Sequence, residues 1–236
     1  MGRDTGDAWK TSSEDFYARR LANYAGLLQW QAETRAQRAV EALQKNGFTA
    51  VFVKDREEAR ARILNLVPPG AAVGVGGSIT IRQIGVLTEL QQSGCVVHDH
   101  WAEGISFEET MRVRRAHLNC DVFLTSANAI TQDGQIVSCD GVGNRVGAMI
   151  FGPGRVVIVA GTNKLVKDLP EAMKRVKEVA APPTLKELGL SLPCTETGIC
   201  NDCRSESRGC RVTVILERRP ALTDTTVLLV GEALGF

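Results

Sequence analysis

Aromatic side chains make up only 5% of the 236 residues, and histidine occurs three times. Charge of either sign is not in excess: 28 basic residues face 27 acidic ones, for a net charge of +1. That balance lacks the broad electrostatic footprint of a nucleic-acid or membrane-surface binder, so neither partner is expected. No apolar run is long enough to span a bilayer; the longest are strand-sized and broken by glycine. The opening stretch MGRDTGDAWKTSSEDFYARR has no apolar core, which argues against a secretory signal and makes the cytoplasm the expected location. The glycine-rich segment GVGGS lacks the G-x-G-x-x-G order of a dinucleotide site and the lysine of a P-loop.

What is present suits an ordinary globular chain. Hydrophobic residues account for 44% and charged residues for 23%. A chain of this length buries enough surface to fold without staples. Seven cysteines cannot all pair within one chain, and a reducing compartment is the consistent setting.

From residue 13 to residue 46, Phe16, Leu21, Tyr24, Leu27, Leu28 and Trp30 recur at helical spacing. This predicts one long or two shorter helices packed on the outside of a sheet. After Gly47 the rhythm changes to short β-branched runs alternating with helical stretches. Strands are predicted at 49–53, 72–75, 96–98, 122–125, 136–138 and 156–160. Helices are predicted at 56–67, 79–93, 107–119, 145–151 and 169–179. Ala181-Pro182-Pro183 marks a break. Beyond it come a short helix at 185–188, a cysteine loop, and runs at 212–216 and 226–230 that suggest a hairpin or two added strands. The expected fold is a single three-layer α/β domain with a mostly parallel sheet and helices on both faces. Its parts are a helical arm (1–46), a core (47–180) and a cysteine-rich segment with terminal strands (181–236).

Two regions carry polar residues at predicted strand ends, where open α/β sheets bind ligands. The first is the βα turn of Gly74, Gly76, Gly77, Ser78 and Thr80. Its glycines permit close backbone approach, and free N–H groups at the helix start favour an anion. Arg82, one turn further on, adds charge. The alternative is a tight turn with Ser78 as N-cap. The second region delivers Asn128, Asp140, Asn144, Arg145, Asn163 and Lys164 from three strand ends. Arg145 suits a bidentate carboxylate or phosphate clamp, Lys164 a second cation, and Asp140 a proton acceptor or an orienting partner of Arg145. Asp140, Arg145 and Lys164 are therefore the candidate catalytic residues. Gly76, Gly77, Ser78, Thr80, Asn128, Asn144 and Asn163 are the candidate binding residues for a small anionic ligand. His98 and His100 are expected at the surface or in a loop, Cys139 in a structural role, and Arg112, Arg114 and Arg115 on a solvated helix face.

Cys194, Cys200, Cys203 and Cys210 form the spacing C-x5-C-x2-C-x6-C. Four thiolates around one C-x2-C element suit an iron–sulfur cluster, with zinc as the alternative. Free or redox-sensing thiols are the remaining reading.

Together these segments resemble the LUD-domain, or lactate-utilization, family. The resemblance runs from Phe16 to Phe236. It rests on GVGGSIT, on DVFLTSANAITQDGQIVSCDGVGNRVGAMIFGPGRVVIVAGTNKLV, on PCTETGICNDC with Ser207-Arg208-Gly209-Cys210, and on VLLVGEALGF. It implies a fold similar to ribose-5-phosphate isomerase and the coenzyme-A transferases. It also implies a place in iron–sulfur-dependent oxidation of L-lactate to pyruvate, beside other lactate-utilization subunits. The tandem ferredoxin motifs of the family's larger partner are not resembled. Where related stand-alone members show an Asn-Ala-Lys-Arg-Leu-like stretch, this chain has Pro183-Thr-Leu-Lys-Glu-Leu188. On the same fold, a sugar-phosphate isomerase or acyl-CoA transferase-like enzyme is an alternative, and a redox-sensing binding module is another.

Overall fold

The computed structural model describes residues 13–236; the segment 1–12, with much of the polar opening stretch, lies outside the described residues. Six parallel strands form the main sheet: β1 (Thr49–Val53), β2 (Ala72–Val75), β3 (Val96–Asp99), β4 (Val122–Thr125), β7 (Arg155–Gly161) and β10 (Asp224–Val230). Their order is β1-β10-β7-β4-β2-β3. A second sheet holds β5 (Ala129–Thr131), β6 (Ile136–Asp140), β8 (Leu165–Val166) and β9 (Val212–Leu216), in the order β8-β5-β6-β9. Here β6 runs antiparallel to both β5 and β9, while β8 runs parallel to β5.

Strand alternation decides the layers. In β7, Val156, Ile158 and Ala160 face one core, while Val157 and Val159 face the other. The second core is roofed by α2 (Arg56–Leu66), α3 (Ile79–Ile84) and α4 (Leu87–Gln92), through Ala59, Ile63, Ile81, Ile84 and Leu90. The first is covered by the C-terminal part of α1 (Ser13–Lys45), by α6 (Asn144–Ile150) and by the small sheet. Both faces of the parallel sheet are thus buried, as its near-continuous Val, Ile and Leu runs require. Each fully buried side chain such as Ile63 or Ile158 contributes about 1.5–3 kcal/mol.

Several expectations are corrected. The first half of α1 does not pack on the sheet: Phe16, Leu21, Tyr24, Leu27, Leu28 and Trp30 are all exposed. Only Ala36, Ala39, Val40 and Leu43 of this helix enter the core. The predicted helix 79–93 is two helices, split where Gly85 takes φ +73 as the cap of α3. The terminal runs are not a hairpin. β9 pairs with β6, while β10 inserts between β1 and β7, with both neighbours parallel. The two prolines do not break the chain either. α7 (Leu169–Arg175) passes through a π turn, Val176–Ala180, into α8 (Ala181–Glu187). The N–H of Ala181 bonds to Val176 O, five residues back. Pro182 and Pro183 then occupy the first positions of α8, where a missing N–H is tolerated.

The turn Asp133-Gly134 shows why a glycine is needed. Gly134 has φ +76, and a Cβ there would lie 2.6 Å from the backbone of Ala42 and Leu43. The β5–β6 hairpin and α1 meet at this point.

Candidate functional site

A cleft of about 500 Å³ opens at the carboxyl ends of β2, β4 and β6, beside the turn that follows β7. It is lined by Gly77, Ser78, Thr80, Asn128, Asp140, Asn144, Arg145 and Lys164, which come from four separate segments of the sequence. Gly76 and Asn163 lie outside the lining. A Cβ on Gly76 would meet Thr125 Oγ1 at 2.9 Å and Arg145 Cγ at 3.3 Å. Asn163 ties down the chain end: its Nδ2 donates to Gly235 O and its Oδ1 accepts from Leu234 N, both at 3.1 Å.

The glycine turn is shaped by neighbouring side chains. Gly76 and Gly77 do not have positive φ. A Cβ on Gly77 would lie 2.8 Å from the Trp101 ring. Ser78 caps α3 by accepting from Ile81 N at 3.3 Å. Arg82 does not reach the ligand region. Its Nη2 donates to both carboxylate oxygens of Asp99, at 2.8 and 2.9 Å, and its guanidinium stacks on Trp101.

Arg145 is committed to the protein. Nε donates to Asp140 Oδ1 at 2.8 Å and Nη1 to Ser126 O at 2.9 Å. Nη2 donates to Asn128 Oδ1 at 3.0 Å and to Cys139 O at 2.8 Å. Four of its five N–H bonds are therefore spent, so the bidentate clamp expected from sequence is not available. Asp140 is equally occupied, since its Oδ2 accepts from Val146 N at 3.0 Å. The pair welds the end of β6 to the start of α6 and to the end of β4.

Lys164 is different. It is 3% exposed, yet among the described residues no carboxylate pairs with it. Its Nζ donates to Ser126 Oγ at 2.9 Å and to Thr80 Oγ1 at 3.0 Å. Burial, then the positive charges of Arg175 and Arg145, push its pKa down to about 7. Arg175, itself buried, donates to Asn163 O and Asn128 O. Among the described residues, Asp140 is the only acidic side chain of the cleft wall, and it is already bonded to Arg145. The cleft therefore offers an unbalanced positive field to a small anion.

Sequence reasoning missed the far wall. His100, Trp101 and Arg114 line the same cleft. His100 is buried rather than superficial, and its ring meets that of His117 at 5.3 Å. Burial lowers both histidines, His117 to about 4. The Nδ1 atoms of both and Arg114 Nε are buried without a hydrogen-bond partner among the described residues. Arg114 sits on α5 (Phe107–Ala116) and turns inward from the predicted solvated face. A local sequence window cannot reveal this, because the other walls of the cleft come from segments distant in the chain.

The cysteine segment forms another wall. Arg211 N bonds to Asp140 O at 2.9 Å. Gly209 lies against Gly141, where a Cβ would come 2.9 Å from Gly209 O. Cys210 lines the cleft; Cys194, Cys200 and Cys203 do not. Cys194 belongs to α9 (Pro193–Thr197) and packs with Leu185 and Leu192. Burial first, and then the neighbouring Cys200, Cys203 and Cys210, raise its thiol pKa. Bonds from Ser205 lower that of Cys203. The donor chemistry is that of a four-thiolate site. As placed, however, no three His, Cys, Asp or Glu side chains among the described residues are grouped to hold a metal ion. The residues do not fit a preformed cage.

The LUD domain family model matches residues 36–230. The chain belongs to the LUD-domain family. That match spans both sheets and the segment carrying all four clustered cysteines. Among solved structures, this LUD-domain chain is similar to a DUF162 family protein from Deinococcus radiodurans, at 12% identity and a TM-score of 0.50. The similarity covers 84% of this chain and 98% of that one, and it speaks to the fold. No curated protein matches the chain. No helix among the described residues is long and apolar enough to cross a membrane.

Proposed function

We propose that this LUD-domain protein binds a small carboxylate in the cleft and serves, in the cytoplasm, as a subunit or accessory factor in iron–sulfur-dependent oxidation of L-lactate to pyruvate. One observation carries the ligand reading: Lys164 is buried in the cleft wall with hydroxyl partners and, among the described residues, no carboxylate. A buried cation without a counter-ion is costly, and an anionic guest relieves that cost. Asp140 and Arg145 act as positioning residues: their ion pair holds Asn128 and the backbone of Ser126, whose hydroxyl meets the amine. The lactate assignment comes from family membership. Among the described residues no glutamate lines the cleft, which disfavours the acyl-CoA transferase reading, since that chemistry uses a carboxylate nucleophile.

An iron–sulfur cluster would require Cys194, Cys200, Cys203 and Cys210 to draw together. The test of the ligand reading is thermal stabilisation by L-lactate and pyruvate, with inorganic phosphate and coenzyme A as comparisons. Stabilisation by the two carboxylates, lost in Lys164→Met, is expected. Stabilisation by coenzyme A alone would overturn it.

A further inference from the structure

The bonding around Lys164 says more than that a positive charge is buried. The Thr80 hydroxyl donates to Leu234 O at 3.3 Å, and the Ser126 hydroxyl donates to Ala127 O at 3.3 Å. Both hydrogens are thus spent on carbonyls, and both oxygens are left as acceptors for Nζ. A neutral amine has two N–H bonds, and these two oxygens use both. Its fourth tetrahedral direction then holds the lone pair. The site satisfies both N–H bonds of an uncharged amine and, among the described residues, gives an ammonium no opposite charge.

We infer that Lys164 is a nucleophile that condenses with the keto group of a small 2-oxo acid held in the cleft, forming a reversible imine. The inference rests on the carboxylate reading above and deepens it. In the step, the nitrogen lone pair forms a bond to the keto carbon, and the C=O π pair moves to oxygen. Both amine hydrogens then leave with that oxygen as water, and the C=N bond remains. No oxidant or reductant is consumed. Burial, and then the positive charges of Arg175 and Arg145, disfavour the ammonium form of Lys164. The arginines of the cleft wall attract the carboxylate that sits beside the keto group. Desolvation next to other cations is a recognised way to activate a lysine amine.

The probe is pyruvate, the simplest 2-oxo acid, added to the full chain with sodium cyanoborohydride at pH 7. Intact mass followed by peptide mapping is the readout. One adduct is expected at Lys164, with a mass gain of one pyruvate less one oxygen atom. Labelling there should exceed that of any surface lysine by more than roughly tenfold, because an unperturbed amine is almost wholly protonated at this pH. With rising pH, labelling at Lys164 should level off just above its pKa of about 7, while surface lysines continue to gain. Excess L-lactate, which lacks a keto group, should compete without being trapped. Because the mapping is done on the unmodified sequence, it does not depend on a variant folding; Lys164→Arg is the added control.

Adducts spread over surface lysines, with none at Lys164, would overturn the inference. If lactate and pyruvate still stabilise the chain in that case, the carboxylate reading survives it. A Lys164 adduct that lactate does not suppress would support the nucleophile and count against the carboxylate reading.

Discussion

Lys164 Nζ lies 2.9 Å from Ser126 Oγ, although 38 residues separate them in the chain. The contact joins the turn after β7 to the end of β4, adjacent strands of the main sheet. It places a buried amine where a strand end opens into the cleft.

Replacing that amine separates function from stability. Lys164→Met should abolish carboxylate binding, with a loss of more than roughly tenfold in affinity. It should also raise stability at pH 7 by roughly 0.5–2 kcal/mol, because a strained functional residue is removed. Calorimetric titration and urea unfolding measure the two effects. A destabilised variant would show that the amine is structural.

The pH dependence has a definite sign. Lys164 falls from 10.5 to about 7 on folding. Between those values the unfolded chain holds a proton that the folded chain lacks, so this group's contribution to stability rises with pH across the window. Binding of L-lactate, which favours the ammonium, should weaken as pH rises through 7. Titrations at pH 6 and pH 8 would reveal the trend, and Lys164→Met should remove it.

His117 predicts an acid sensitivity. It is fully buried, and its pKa is depressed from 6.5 to about 4. Its contribution is present above 6.5 and is lost as pH falls toward 4, by roughly 3 kcal/mol in all. Urea midpoints at pH 7 and pH 4.5 should differ accordingly. Replacing His117 with Phe should flatten the difference.

The ion pair behind the cleft should be costly to break. The side chains of Arg145 and Asp140 are 12% and 8% exposed. Asp140→Asn leaves Arg145 without its counter-charge, at a cost of roughly 3–5 kcal/mol. Denaturant unfolding gives the figure, and a loss under about 1 kcal/mol would place the pair among surface bridges.

Gly77→Ala tests the glycine turn. The added methyl would meet the Trp101 ring at 2.8 Å and should cost about 1–3 kcal/mol. Trp101→Ala in the same chain should restore part of it. No rescue would mean that the backbone, rather than the ring, sets the requirement.

Much of the fold was legible because its signals are local. β1, β2 and β4 fall on the predicted residues, since a buried parallel strand needs a short β-branched run between turn residues. The missed strands β5 and β8 are three and two residues long, too short to carry a period. The aromatic stripe of α1 reads as core by spacing alone, yet in the structure it is exposed. Periodicity reports an apolar face and is silent on what covers it.

The sequence by itself determined the parallel strand rhythm, the family, and the placement of Ser78, Asp140, Arg145 and Lys164 beyond strand ends. Ser78 and Lys164 share a rim because β2 and β7 run parallel, whereas β6 of the second sheet brings Asp140 and Arg145 to it. Only the tertiary structure decided their roles. Whether a cation is free or spent depends on groups distant in the chain: Asp140, Asn128 Oδ1 and four backbone carbonyls occupy Arg145 and Arg175, while among the described residues Lys164 meets two hydroxyls. Hydrogen bonds act over about 3 Å, and which atoms come that close is fixed by packing, not by position along the chain.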